Sequence, residues 1–236
     1  MLEFLPSPTD GRRFTGGRHV RLVDTDPQGR LRSDAAARYL QDVAGDDWDG
    51  TGIDTGDMWV VRRTAMRLTP VGRWPELGEM VEATTWCSGI GAAWAERRTD
   101  LAVDGVVLVE TEALWVPLDG SGRPRRISPE FRAVYGEASG GRRISGRDVV
   151  PAVPADADHR PWPLRRADLD VAGHVNNAAC WAALEDASAG PVASAVLNHH
   201  GPLEWGAAVI LAMTPGRLWL LNGDLVRVSG GFTLIG

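Results

Sequence analysis

The chain has 236 residues, 44% hydrophobic and 24% charged, the balance of a soluble globular protein with one large domain or two small ones. All 25 basic residues are Arg, and against 31 acids they leave a net charge of -6, without the basic face that nucleic-acid binding needs. No apolar run approaches the roughly 18 residues of a membrane span, MLEFLPSPTDGRR lacks the pattern of a secretory signal, and Cys87 and Cys180 are too few for a disulfide framework or metal cluster, so a cytoplasmic protein is expected.

The first local signal is an acidic turn, DTDPQG at 24–29, which leads from an extended stretch into a helix. Ala35, Ala36, Tyr39, Leu40 and Val43 fall at i, i+1, i+4, i+5 and i+8, one apolar stripe of a 3.6-residue period. Four β-branched and aromatic runs follow, MWVVRRTAMRL (58–68), EMVEATTWCS (79–88), GAAWAERRTDLAV (91–103) and VVLVETEALWVPL (106–118), separated by short Gly- or Asp-containing turns. Residues 119–160, rich in Gly, Pro, Arg and Ser, read as a long connection.

Residues 165–186 then repeat 21–42 at a shift of 144 positions. Seven of 22 positions are identical, among them Asp24/Asp168, Asp26/Asp170 and Gly29/Gly173, and the stripe returns as Ala179, Cys180, Ala183, Leu184 and Ala187. This predicts a second helix over 176–187, followed by strands in ASAVLNHH, AAVILAMTP, GRLWLLNG and DLVRVSGGFTL. One helix followed by hairpins is an α+β unit, an antiparallel sheet with the helix on one face. The expected organisation is an N-terminal unit at 1–118, a connection at 119–160 and a C-terminal unit at 161–236.

DLDVAGHVNNAACW (168–181) gathers two acids, a His and two Asn ahead of the second helix. A helix start offers unpaired backbone N–H groups and the positive end of a dipole, a place to polarise a carbonyl without a metal. There Asp170 can orient His174 or activate water, His174 can act as general base near neutral pH, and Gly173 lets backbone approach closely. Asn176 or Asn177 suits a helix cap or a substrate contact. The competing reading makes the same residues a plain turn and cap. His199 and His200, adjacent on a strand, point to opposite faces and do not pair on one metal, and Cys180, on the apolar stripe, reads as buried filler.

DLDVAGHVNN resembles the D-L-D-V-N-x-H-V-N-N signature of the plant and bacterial acyl-ACP thioesterases. DTDPQGRL, the Gln41–Gly45 stretch, the WVV of 59–61 and the TTW of 84–86 are similar to first-domain features of that family. The resemblance spans roughly residues 18–235. It implies a tandem (double) hotdog, two antiparallel sheets each wrapped around a central helix. It also implies hydrolysis of fatty or related acyl thioesters of acyl carrier protein (ACP) or coenzyme A, by a monomer or homodimer, with no cofactor and no metal. For the site it implies Asp170, His174 and Asn176 as catalytic residues and Asn177 and Gly173 as substrate contacts. Tyr39, Val43, Trp48, Met58 and Trp59 would line an acyl channel in the first half.

Two positions depart from the pattern. Ala172 stands where the signature has Asn, and Pro202 aligns with a Glu that the plant enzymes carry downstream. Glu204, Glu185 and Asp26 are the alternative catalytic carboxylates, although Arg30 takes the place of His174 in the first half and Gln41 that of Glu185. Two other functions stay open: a non-catalytic double hotdog that binds an acyl thioester or a protein, and a hotdog enzyme of polyketide or other natural-product synthesis.

Overall fold

The apolar runs form ten strands: β1 (Arg13–His19), β2 (Met58–Leu68), β3 (Met80–Ile90), β4 (Ala95–Val103), β5 (Val106–Leu118), β6 (Asp158–Pro161), β7 (Val192–His199), β8 (Val209–Thr214), β9 (Arg217–Asn222) and β10 (Leu225–Leu234). The helices are α1 (Ser33–Asp49), α2 (Pro129–Tyr135) and α3 (Ala182–Ala187). The structure is a computed structural model and describes residues 4–146 and 149–235.

The two sheets expected from the resemblance are one. The strand order is β1-β3-β4-β5-β2-β7-β10-β9-β8-β6, all antiparallel. Reading inward from either edge gives the same sequence of equivalents, β1 with β6, β3 with β8, β4 with β9, β5 with β10 and β2 with β7, so the duplication read from the turns extends to the whole sheet. The seam pairs Arg63 with Asn198 through Arg67 with Ser194. Each half would otherwise present an unpaired strand edge there, and each edge closes the other. The stretch expected as a plain connection contains α2 and most of β6.

The stripe of α1 is buried as its spacing predicts, with Ala35, Ala36, Tyr39, Leu40 and Val43 all at most 6% exposed. Small Ala side chains let the helix lie close to the sheet, in one core with Val81, Leu101, Leu184 and Leu197. The second helix is shorter than expected. Ala179–Trp181 form a 3-10 turn, and only the six residues of α3 are α-helical before Gly190 and Pro191 turn the chain into β7. Helix α2 packs Phe131 and Tyr135 on Cys87, Ile90 and Ala95 in a second, smaller core.

Candidate active site

The two acidic turns are built alike. Asp24 and Asp168 are buried, and each accepts the backbone N–H of the Arg three residues earlier, Arg21 at 3.2 Å and Arg165 at 3.0 Å. In both, the chain folds back in a bridge, Thr25 with Leu31 and Leu169 with Val175, around a glycine of positive φ, Gly29 at 82° and Gly173 at 77°. Each turn also pairs with a distant segment, Arg30 with Glu76 and His174 with Glu204. Residues opposed in an antiparallel bridge share a face with Cβ atoms about 4.5–5.5 Å apart. The register thus sets Glu204 beside His174.

The first-half turn is internally neutralised. The Arg30 Nε–H donates to Asp26 Oδ2 at 2.8 Å, and the backbone N–H groups of Gln28 and Arg30 both donate to Oδ1 at 2.9 Å. Partial burial pushes the Asp26 carboxyl up, but these hydrogen bonds and the Arg30 charge outweigh it and hold it below the ordinary carboxylate range. In the second half Asp170 is exposed, and its Oδ1 accepts the Ala172 N–H at 2.9 Å, which closes its own turn. Its backbone N–H donates to the His174 carbonyl at 2.9 Å, so the two residues sit at the two ends of one tight loop. His174, which stands where the first half has Arg30, is half-buried.

The helix tips also differ. Glu185 of α3 accepts both the backbone N–H and the hydroxyl of Ser33 at the start of α1, at 2.8 and 2.7 Å. It therefore caps a helix of the other half. At the other tip Asn176 Oδ1 accepts the Ala178 N–H at 2.7 Å, a capping contact at the start of the second-half helical segment. The Asn177 amide donates to the Val61 carbonyl of β2 at 3.2 Å and ties this loop to the first half. Cys180 is buried, its thiol pushed up to about 12 by burial, as suits filler and not a nucleophile.

A cavity of about 300 Å³ lies between α1 and the first-half sheet, lined by Gln41, Ala44, Gly45, Trp48, Trp59 and Trp115 among others. A constriction of about 20 Å³, bounded by Gln41, Trp115 and Asn177, lies between it and the second-half tip. That is room for about one water molecule. Of the five expected channel residues, Trp48 and Trp59 line the cavity. Met58 is 49% exposed, because it begins β2 and points outward. Tyr39 is core, its hydroxyl donating to Asp24 at 2.9 Å, and with Val43 it borders a surface groove on the other side of α1. Neither Asp170 nor His174 lines the cavity; Asn177 is the member of the motif that borders the constriction.

Residues 11–135, just over half the chain, match the family model described as the acyl-ACP thioesterase N-terminal domain. The chain belongs to the acyl-ACP thioesterase family. Uncharacterized proteins of two Mycobacterium tuberculosis strains are 27% identical over 97% of this chain and 94% of their own. In fold, the protein is similar to a putative oleoyl thioesterase from Lactobacillus plantarum (TM-score 0.80, 18% identity, 95% and 96% of the two chains). It is also similar to the 12:0-ACP thioesterase from Umbellularia californica (TM-score 0.75, 19% identity, 93% and 96% of the two chains).

In this thioesterase the shift that aligns the two turns misses a second repeat. Glu76-Leu77-Gly78 and Glu204-Trp205-Gly206 both present a Glu to the turn and both end on a positive-φ glycine, 88° and 86°. They are 128 positions apart and not 144, because the second half has a shorter helix and no counterpart of the loop at 50–57. The cavity side of α1 was equally readable: Gln41, Ala44, Gly45 and Trp48 fall at i, i+3, i+4 and i+7, a second face beside the core stripe.

Proposed function

We propose that this thioesterase releases fatty or related acyl groups from ACP, as a cytoplasmic step of fatty acid synthesis, at the second-half turn of Asp170 and His174 and the Glu204 bridged to it. The observation that carries this reading is the pairing of His174 with Glu204; the matching bridge of the first half sets Arg30 opposite Glu76, and there Arg30 is already tied to Asp26 of its own turn. A lone imidazole next to a carboxylate suits proton transfer near neutral pH; an arginine locked to an aspartate does not. The working divisions are those of the sequence, an N-terminal hotdog at 1–118, a connection at 119–160 and a C-terminal hotdog at 161–236, with the acyl group held mainly by the first.

In this scheme His174 takes a proton from water as its oxygen attacks the thioester carbonyl carbon. Glu204 orients the ring and steadies the imidazolium, and Asp170, with Oδ2 uncommitted to its turn, holds the water. The Asn177 N–H at the tip receives the oxyanion, in a helix start where the backbone dipole favours negative charge. When the carbon–sulfur bond breaks, His174 returns the proton to the departing sulfur, leaving free acid and thiol. The acyl chain passes Gln41, whose side chain must swing aside to open the constriction, into the cavity between Trp48 and Trp59.

The test is thiol release from acyl-ACP and acyl-CoA thioesters of graded length. His174→Ala should lose about 100-fold or more in kcat. Glu204→Gln should lose less and shift the pH profile of kcat, which a merely structural role would leave in place. Hydrolysis at the wild-type rate in both variants overturns the site. Tight acyl-ACP binding without thiol release by the wild type overturns the activity.

A further inference from the structure

The two halves differ in kind at two surface positions beside their acidic turns. In the first half these are Leu22, two residues before Asp24, and Leu77, the residue after Glu76, which are apolar and 79% and 49% exposed. In the second half the equivalent positions are Arg166, two residues before Asp168, and Trp205, the residue after Glu204. The Arg166 guanidinium lies over the Trp205 indole, 5.3 Å from the ring centroid, and both residues are exposed.

This arginine is held in place without being neutralised. Its neighbour Arg165 is spent on Asp168, with Nη2 donating to Oδ1 at 2.7 Å. Arg166 makes no ion pair or side-chain hydrogen bond among the described residues, and pairs with neither Asp170 nor Glu204. Stacking on an indole occupies the flat face of a guanidinium and leaves the N–H groups at its edge. That edge is a fork of donors matched to the oxygens of a phosphate. Trp205 follows Glu204 directly, so the fork stands beside the His174–Glu204 pair but one aromatic side chain further out. It is suited to a charged group remote from the thioester, and not to the reacting carbon.

We infer that Arg166, seated on Trp205, binds the phosphate of the pantetheine arm that carries the acyl group. This rests on the proposed reaction at His174 and Glu204, and names what holds the departing side of its substrate. ACP and coenzyme A share the chemistry. In both, the thiol ends a pantetheine chain whose far end is a phosphate, joined to the carrier protein in one and to the nucleotide in the other. The acyl chain of the proposed reaction runs past Gln41 into the first half, so the arm leaves on the solvent side, where Arg166 and Trp205 are exposed. Arg166 is then a positioning residue, and Trp205 fixes the direction of its edge.

The experiment compares one acyl group on four thiols, as dodecanoyl-pantetheine, dodecanoyl-4′-phosphopantetheine, dodecanoyl-CoA and dodecanoyl-ACP, by kcat/KM. The non-hydrolysable S-dodecyl thioethers of pantetheine and phosphopantetheine are titrated by calorimetry. Adding the phosphate should raise kcat/KM and tighten thioether binding by about ten-fold at low ionic strength, and by less at high salt. Arg166→Leu should collapse both ratios toward one and raise KM for the CoA and ACP substrates alike. Arg166→Lys, a point charge without the fork, should keep part of the preference. The wild-type comparison needs no variant to fold. Equal values for pantetheine and phosphopantetheine, or a phosphate preference unchanged in Arg166→Leu, overturn the inference and leave the hydrolysis reading standing. A loss confined to dodecanoyl-ACP or to dodecanoyl-CoA, with the phosphopantetheine ratio untouched, also overturns it, because Arg166 then meets the carrier protein or the nucleotide. Tighter, Arg166-dependent binding of the phosphorylated thioether without hydrolysis of any thioester overturns the hydrolysis reading and supports this one.

Discussion

Glu185 caps a helix that belongs to the other half of the molecule. Its Oε1 receives both the N–H and the hydroxyl of Ser33, 152 positions away in sequence. Helix α1 has no side-chain cap of its own, because its N-cap residue is Arg32. The carboxylate therefore meets two of the orphan donors at the α1 start and is placed where the helix dipole favours negative charge. Glu185→Ala should lower unfolding free energy by about 1–2 kcal/mol, read by urea titration, and leave kcat of the folded enzyme within about two-fold. A hundred-fold loss of kcat with stability intact would make Glu185 part of the reaction.

Asp26 and Arg30 make the first-half turn a closed structure. Three hydrogen bonds from within the turn hold the Asp26 carboxylate in place. Asp26→Asn should retain at least about half of wild-type kcat/KM and lower the melting temperature modestly, since the pair is partly exposed. Loss of turnover in Asp26→Asn alongside normal turnover in His174→Ala would transfer the active site to the first half.

Much of this was legible in the sequence, for identifiable reasons. The turns and stripes were readable because their spacing is local: Asp24 and Asp168 sit in two like turns as the repeat predicts, and β2 and β5 occupy the 58–68 and 106–118 runs. The single sheet was not, because the seam of Arg63–Arg67 on Ser194–Asn198 joins segments about 130 positions apart with no marking beyond β propensity. Tyr39 and Val43 lie off this cavity because one helix has two useful faces. Their stripe serves the core, and the Gln41–Trp48 face serves the cavity. The pairing of Glu204 with His174 depends on strand register, which no one-dimensional alignment through Pro202 conveys.

Gly45 lies inside α1 on its cavity side. A Cβ built there meets nothing within 4 Å, and the residue lines the cavity beside Trp48 and Trp59. Glycine inside a helix costs about 0.5–1 kcal/mol relative to alanine, so its use on this face exchanges helix stability for open space. Gly45→Ala should raise stability by that amount with little change in turnover. Gly45→Phe should fill the cavity and shift chain-length preference toward shorter acyl groups, measured as the kcat/KM ratio of dodecanoyl- to butanoyl-CoA. An unchanged ratio in Gly45→Phe would separate this cavity from the acyl group.

His199 makes stability depend on pH. It is 5% exposed on β7, its Nε2 has no partner among the described residues, and burial, with help from His200 and Arg62, pushes its pKa down to about 3. The ordinary value is 6.5, so the unfolded chain takes up this proton first. The stability contributed by neutral His199 is complete above pH 6.5 and is lost as pH falls from there toward 3. Asp100 acts in the opposite sense. Burial, opposed by Arg98 and reinforced by Glu110, raises its carboxyl to about 6, so the folded form takes up that proton first and gains as pH falls. The wild-type profile sums the two, and the variant difference isolates the histidine. Between pH 7.5 and 5.0, wild type should lose about 2 kcal/mol relative to His199→Leu, measured by urea unfolding at both pH values. Asp100→Asn should steepen the wild-type loss over the same range. Parallel profiles for wild type and His199→Leu would mean that His199 takes up its proton in the folded protein as readily as in the unfolded chain.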